Sequence, residues 1–125
     1  TRAAFHMFAF RYKKDDFKGL SRDRFIEALV AEGIPCMSGY APFLNKQPYL
    51  ENAFQSKNFR KMYPKELLDF EKYKEENNCP ENDELCVEAV WLQQNMLLAE
   101  KSDLDDVASA IERIRKNAEK IKNSR

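Results

Sequence analysis

Leu20-Ser21-Arg22-Asp23-Arg24-Phe25-Ile26-Glu27-Ala28-Leu29-Val30-Ala31-Glu32-Gly33-Ile34-Pro35-Cys36-Met37-Ser38 reads as one helix running into one short strand. Ser21 has the side chain of a helix N-cap, and Leu20 before it can staple to Phe25 at the fourth helical position. Phe25, Ile26, Leu29 and Val30 form an apolar stripe at helical spacing. Gly33 suits the left-handed residue that ends a helix. The strand that follows, about Ile34 to Ser38, is short, and its pairing sense is left open by the sequence.

Upstream, a strand is predicted from about Ala4 to Tyr12. Phe8, Phe10 and Tyr12 share one face, and Phe5 and Met7 the other. A strand apolar on both faces predicts a buried, central position. Its place at the start of the chain, without an initiator Met, suggests a piece of a larger protein. Downstream, Pro80 is a natural first helical residue, with Glu81, Asp83 and Glu84 at the positive helix end and Leu85, Cys86 and Ala89 turned inward. Val90-Trp91-Leu92 reads as a third strand. A last helix is predicted from Ser102, capping with Asp105 in an S-x-x-[DE] pattern. Leu104, Val107, Ile111, Ile114, Ala118 and Ile121 supply its apolar stripe. The same stripe is open to a coiled-coil reading, but under three heptads are present. Residues of about 50–77 read as an irregular, partly helical excursion, with turns at Asn52 to Phe54 and Phe59 to Tyr63. The predicted class is α+β: a small, about three-stranded sheet with helices packed on one face.

Between the second strand and the excursion lies Ser38-Gly39-Tyr40-Ala41-Pro42-Phe43-Leu44-Asn45-Lys46-Gln47-Pro48-Tyr49. Pro42 and Pro48 stiffen it at both ends, since proline fixes φ and biases its predecessor toward extended geometry. A stiff loop bearing Tyr, Asn, Lys and Gln beyond a strand can present polar groups to a ligand. It can equally be a packed surface loop whose tyrosines fill gaps.

At 125 residues the length is that of one domain. Twenty-one basic and 21 acidic side chains leave no formal net charge, which argues against a nucleic-acid binder working by phosphate neutralisation. The one basic cluster, Arg113, Arg115, Lys116, Lys120, Lys122 and Arg125, falls at a predicted helix C-terminus, where cations complement the dipole. No apolar run approaches the ~20 residues of a membrane span. Three cysteines and no secretory signal read as reduced cytosolic thiols. With one histidine, a zinc site is not expected.

The catalytic inventory is thin. His6 stands among aromatics in a strand, where it is either a hydrogen-bonded core histidine or a functional one. No Ser or Cys has an evident base partner, and no carboxylate pair is marked out as acid and base. Residue types alone do not make this chain an enzyme.

In order and spacing the chain resembles the C-terminal small domain of the DegT/DnrJ/EryC1/StrS family, the pyridoxal-phosphate-dependent sugar and cyclitol aminotransferases. The resemblance rests on Phe5-His6-Met7-Phe8, the Leu20 to Gly33 helix, Gly33-Ile34-Pro35, Tyr40 through Gln47-Pro48, Cys79-Pro80 and Val90-Trp91-Leu92. Gly39 stands where the family's loop has its first His, Asn45 near its second, and one extra residue lies around Phe43. Gln93 and Asn95 replace a frequent Pro and His.

The resemblance implies that residues 1–125 are the C-terminal domain of an aminotransferase acting on a keto-sugar or cyclitol. The Gly-Tyr-x-Pro loop is more like the branch that acts on inososes with glutamine or glutamate as amino donor. It implies a domain that closes over and shapes the substrate pocket, with Tyr40, Asn45, Lys46 and His6 as substrate contacts. Pyridoxal phosphate and its Schiff-base lysine belong to the family's upstream catalytic domain, so the fragment alone is expected to hold no cofactor and to be inactive. The implied partners are that N-terminal domain, a second subunit in a cytoplasmic homodimer and the sugar or cyclitol, with no nucleic acid and no membrane. A free-standing α+β ligand- or protein-binding module, or a small-molecule-sensing regulatory domain, would share the strand-helix-strand pattern.

Overall fold

A computed structural model describes residues 6–40 and 43–124. Expectations placed on Ala4, Phe5, Pro42 and Arg125 lie outside the described residues. The fold is α+β, with a three-stranded antiparallel sheet and six α-helices among the described residues. The chain divides into two units. The first joins residues up to Gly39 to those from Val87 onward, and the second is Tyr40–Cys86.

The first unit holds the sheet: β1 (Met7–Arg11), β2 (Cys36–Ser38) and β3 (Ala89–Gln93), in the order β1-β3-β2. Phe8 pairs with Leu92 and Phe10 with Val90 on one side of β3, and Cys36 with Leu92 and Ser38 with Val90 on the other. The strand read as central, β1, is therefore at an edge, and Phe8 is 39% exposed. The central place goes to β3, whose Ala89, Val90 and Leu92 are all buried. The open pairing of β2 is resolved: it runs antiparallel to β3, not against β1.

Helix α1 (Arg22–Ala31) is built as its caps dictate. The Ser21 hydroxyl accepts from Arg24 N at 3.3 Å, while Leu20 and Phe25 are fully buried in one cluster. At the other end Gly33 takes φ +88°. Its N–H donates to Val30 O and that of Ile34 to Leu29 O, at 2.9 and 3.1 Å. These are the paired bonds of a Schellman stop. Val30, expected on the buried stripe, is half exposed, because Phe25 and Leu29 alone face the core centre.

Helix α6 (Lys101–Asn123) begins one residue earlier than its expected cap. Asp103 Oδ2 accepts from Glu100 N at 3.2 Å, so Glu100 and Asp103 close the first turn. Asp105 instead pairs with Lys101 at 2.6 Å. Ala110, Ile114 and Ala118 are buried, with Val107, Ile111 and Ile121 packed beside them. This stripe joins one buried core with Phe25, Leu29, Val90 and Leu92, which answers the coiled-coil reading with ordinary packing inside the unit. Tyr12, Phe17 and Phe25 stack at 4.6 to 5.1 Å at the centre of the core. The Tyr12 hydroxyl donates to Leu20 O at 2.9 Å, and burial pushes its pKa up to about 12.

The second unit contains α2 (Pro48–Gln55), α3 (Lys57–Met62), α4 (Phe70–Glu76) and most of α5 (Pro80–Glu88). The excursion of about 50–77 lies inside it and is more regular than its sequence reads. Ser56 caps α3 through Phe59 N at 3.2 Å, and Asp69 caps α4 through the amides of Glu71 and Lys72. No described residue of this unit is fully buried. It is knit instead by rings: Phe54 lies 5.4 Å from Phe70 and 5.1 Å from Tyr73, and Phe59 lies 5.2 Å from Tyr63. Leu85, expected inward, is 44% exposed.

No helix among the described residues is long and apolar enough to cross a membrane.

Candidate functional site

The loop beyond β2 leaves the sheet at Gly39, whose N–H reaches Ala89 O at 3.4 Å. A Cβ at this position would stand 3.0 Å from Ala89 Cβ and 3.5 Å from the Trp91 ring. A side chain here would be in tight contact with β3, and Ala89 would have to give by a few tenths of an ångström. Leu44–Lys46 then form a single 3-10 turn, and Pro48 is the first residue of α2 rather than the end of a stiff loop. The turn orients its two polar side chains against other parts of the same unit. Asn45 Nδ2 donates to Asn77 O at 2.7 Å, tying the turn to the end of α4. Lys46 Nζ pairs with Asp83 Oδ2 in the first turn of α5 and lies 5.0 Å from the centre of the Phe43 ring.

Two oxygens of this cluster, Asn45 Oδ1 and Asp83 Oδ1, are closed off from solvent and receive no donor from the described residues. Buried acceptors are ordinarily paired, so these two mark the polar node of the unit. Sequence reasoning singled out Asn45 and Lys46, read Asp83 only as a carboxylate at a helix start, and did not single out Asn77. The only signal for Asp83 was a carboxylate in a helix first turn, which the dipole explains equally well.

The other two candidates are placed differently. Tyr40 opens the second unit with its side chain 72% exposed. His6 is exposed at the entry to β1 in the first unit, so it is not the core histidine that its aromatic neighbours suggest. The structure thus joins Asn45 with Lys46, while His6 belongs to the other unit.

Glu88, where α5 meets β3, takes Lys13 Nζ at 2.6 Å and Arg11 Nε at 2.5 Å. These hydrogen bonds, Lys13 first, hold its carboxyl below the usual range. A groove of about 290 Å³ lies between sheet and α6, lined by Phe8, Phe10, Leu92, Leu104, Val107 and Ile111. It has almost no polar lining, which suits apolar packing and not a hydroxylated substrate.

Pyridoxal phosphate needs an enclosed amine for covalent attachment. None of the polar or charged residues among those described is buried, lysines included. Among the described residues, none therefore presents an enclosed amine.

No family model matches the chain. It is 23% identical over 125 residues to a protein of Streptoalloteichus tenebrarius named "Putative L-glutamine:3-amino-2,3-dideoxy-scyllo-inosose aminotransferase". It is 25% identical over 127 residues to a protein of the same name from Micromonospora echinospora. The alignments take in 98% and 99% of this chain but 29% of each relative. The chain therefore spans under a third of the length of the curated relatives it matches. The matched stretch is their C-terminal part, and the similarity relates this chain to a C-terminal region of aminotransferases.

Proposed function

We propose that residues 1–125 are the C-terminal small domain of an aminotransferase of the DegT/DnrJ/EryC1/StrS type, acting on a keto-sugar or an inosose-like cyclitol. The observation that carries this reading is similarity along almost the whole chain to two proteins named as glutamine:inosose aminotransferases. In the full-length protein, pyridoxal phosphate is held by a catalytic domain outside these residues and supplies the electron sink for amino transfer. This domain supplies a wall. Tyr40, Asn45 and Lys46, carried on one short segment after β2, contact the hydroxylated substrate. The apolar groove beside α6 supports a packing surface for the rest of the polypeptide. The full-length protein is a cytoplasmic homodimer on this reading.

The test uses the full-length protein. It is incubated with glutamine and scyllo-inosose, and amino transfer is followed as glutamine consumption coupled to appearance of the aminocyclitol. Cofactor binding is read as a visible absorbance band that borohydride removes. Amino transfer together with the band supports the reading. Absence of the band from protein refolded or expressed with excess cofactor overturns it.

A further inference from the structure

We infer that the second unit carries an anion site, built from Arg60, Lys65 and Phe54, for an organic phosphate monoester with an apolar or aromatic body. Between Glu51 and Glu66 the chain has Lys57, Arg60, Lys61 and Lys65 and no carboxylate, in a protein of zero formal net charge. None of the four makes an ion pair among the described residues. Two of them meet at one cavity of about 360 Å³, lined by Phe54, Gln55, Arg60, Lys65 and Leu68. The carboxylates that follow, Glu66, Asp69 and Glu76, line with Lys72 a separate cavity of about 80 Å³ that shares only Phe54 with the first. The fold thus sorts carboxylates away from Arg60 and Lys65.

Both cations stand on hydrogen-bonded backbone. Arg60 lies in the last turn of α3, its N–H donating to Ser56 O at 3.1 Å. Lys65 opens the 3-10 turn Lys65–Leu67, and its carbonyl accepts from Leu68 N at 3.0 Å. A helix dipole accounts for a cation in the last turn of α3 but not for one at the start of the next turn. Phe54 is held by the Phe70 and Tyr73 rings at 5.4 and 5.1 Å, which fixes the apolar wall. A monocarboxylate would answer one cation and leave the other. A phosphate monoester carries close to two charges at neutral pH and three acceptor oxygens, enough for a bidentate Arg60 and one Lys65 donor. Phe54 and Leu68, both half-buried, then receive an apolar body. The volume is that of a small organic ligand. An uncharged cyclitol makes no use of the two cations, so this site is additional to the function proposed above.

The experiment measures binding of phenyl phosphate to the full-length protein by titration calorimetry, with inorganic phosphate and benzoate as comparison probes. Saturable binding of phenyl phosphate is expected, at least tenfold tighter than either comparison probe. Arg60→Met and Lys65→Met should each weaken it at least tenfold. Both residues are exposed, so neither change disturbs a core, and unchanged thermal midpoints check this. Lys61→Met removes the same charge from the same helix end without lining the cavity, and should leave binding within twofold of wild type. No binding of phenyl phosphate overturns the inference. So does binding that Arg60→Met and Lys65→Met leave unchanged, which places the phosphate elsewhere in the protein. An equal loss in Lys61→Met overturns it as well, by making the attraction a diffuse surface field. Inorganic phosphate or benzoate bound as tightly as phenyl phosphate overturns the assigned ligand class. Amino transfer is measured separately, and its presence or absence bears on the proposed function alone.

Discussion

Arg24 on α1 closes the far end of α6: its Nη2 donates to Ile121 O at 3.0 Å and to Ser124 O at 3.1 Å. The last carbonyls of a helix have no partner within it, and a cation at that end also complements the dipole. Basic residues of α6 itself were read in this role, and Lys120 and Lys122 do stand in its last turn. The side-chain hydrogen bonds to Ile121 O come instead from Arg24 on the neighbouring helix and from the Ser124 hydroxyl, the latter at 2.8 Å. Arg113 is spent on Glu32, at 2.6 Å. Arg24→Met keeps most of the stem and removes the bonds. It should cost about 1 kcal/mol, read as a lower denaturant midpoint with unchanged slope. A change below a few tenths of a kcal/mol would assign the capping to the Ser124 hydroxyl.

Gly33 and Gly39 are glycine for different reasons, and substitutions separate them. At Gly33 the backbone is left-handed and nothing stands within 4 Å of an added Cβ. Gly33→Ala should cost roughly 1 kcal/mol from strain alone, and Gly33→Asn less, since Asn tolerates that conformation. At Gly39 the obstacle is Ala89 and Trp91, so Ala and Asn should both destabilise, by about 1–3 kcal/mol, with Asn the worse. Thermal melts of the four variants check the two orders.

Stability should fall at both extremes of pH, for separable reasons. The Tyr12 phenol is raised to about 12 when folded, against about 10 in an unfolded chain. Its contribution is therefore intact below pH ~10 and lost as pH rises toward the folded value. Glu88 shifts the other way, its folded carboxyl held low by Lys13 and Arg11. Its contribution is present above the unfolded carboxylate value of about 4.3 and lost as pH falls through the depressed folded one. Tyr12→Phe should flatten the alkaline limb and cost about 1 kcal/mol at neutral pH by orphaning Leu20 O. Glu88→Gln should flatten the acid limb only. Denaturation midpoints across the pH range decide both.

If the proposed function holds, Tyr40→Phe in the full-length protein should lower kcat/KM for the proposed cyclitol substrate roughly fivefold to tenfold, the worth of one hydrogen bond. The cofactor absorbance band should not change. Loss of both together would make Tyr40 a structural residue.

The local devices of this protein were legible in its chain because each is complete within a few residues. The Ser21 cap, the Leu20 and Phe25 staple and the Gly33 stop all appear where their residues stand, and so does the α6 stripe. The small, about three-stranded sheet with helices on one face follows from the same periodicities, whereas its antiparallel sense came only from the pairing of β1 and β2 with β3. Of the candidate site, Asn45 and Lys46 were legible as polar residues on a turn.

Tertiary structure alone decided what those residues meet. The partners of Asn45 and Lys46 are Asn77 and Asp83, 32 and 37 residues away, and no local pattern encodes a pairing at that distance. The edge place of β1 was likewise invisible, because apolar alternation reports burial of a face and not which strand lies alongside. Val90 and Leu92 take the centre because β3 offers hydrogen-bonding edges to two strands at once. Period and capping are properties of one segment, whereas neighbours and orphaned acceptors arise only when segments meet.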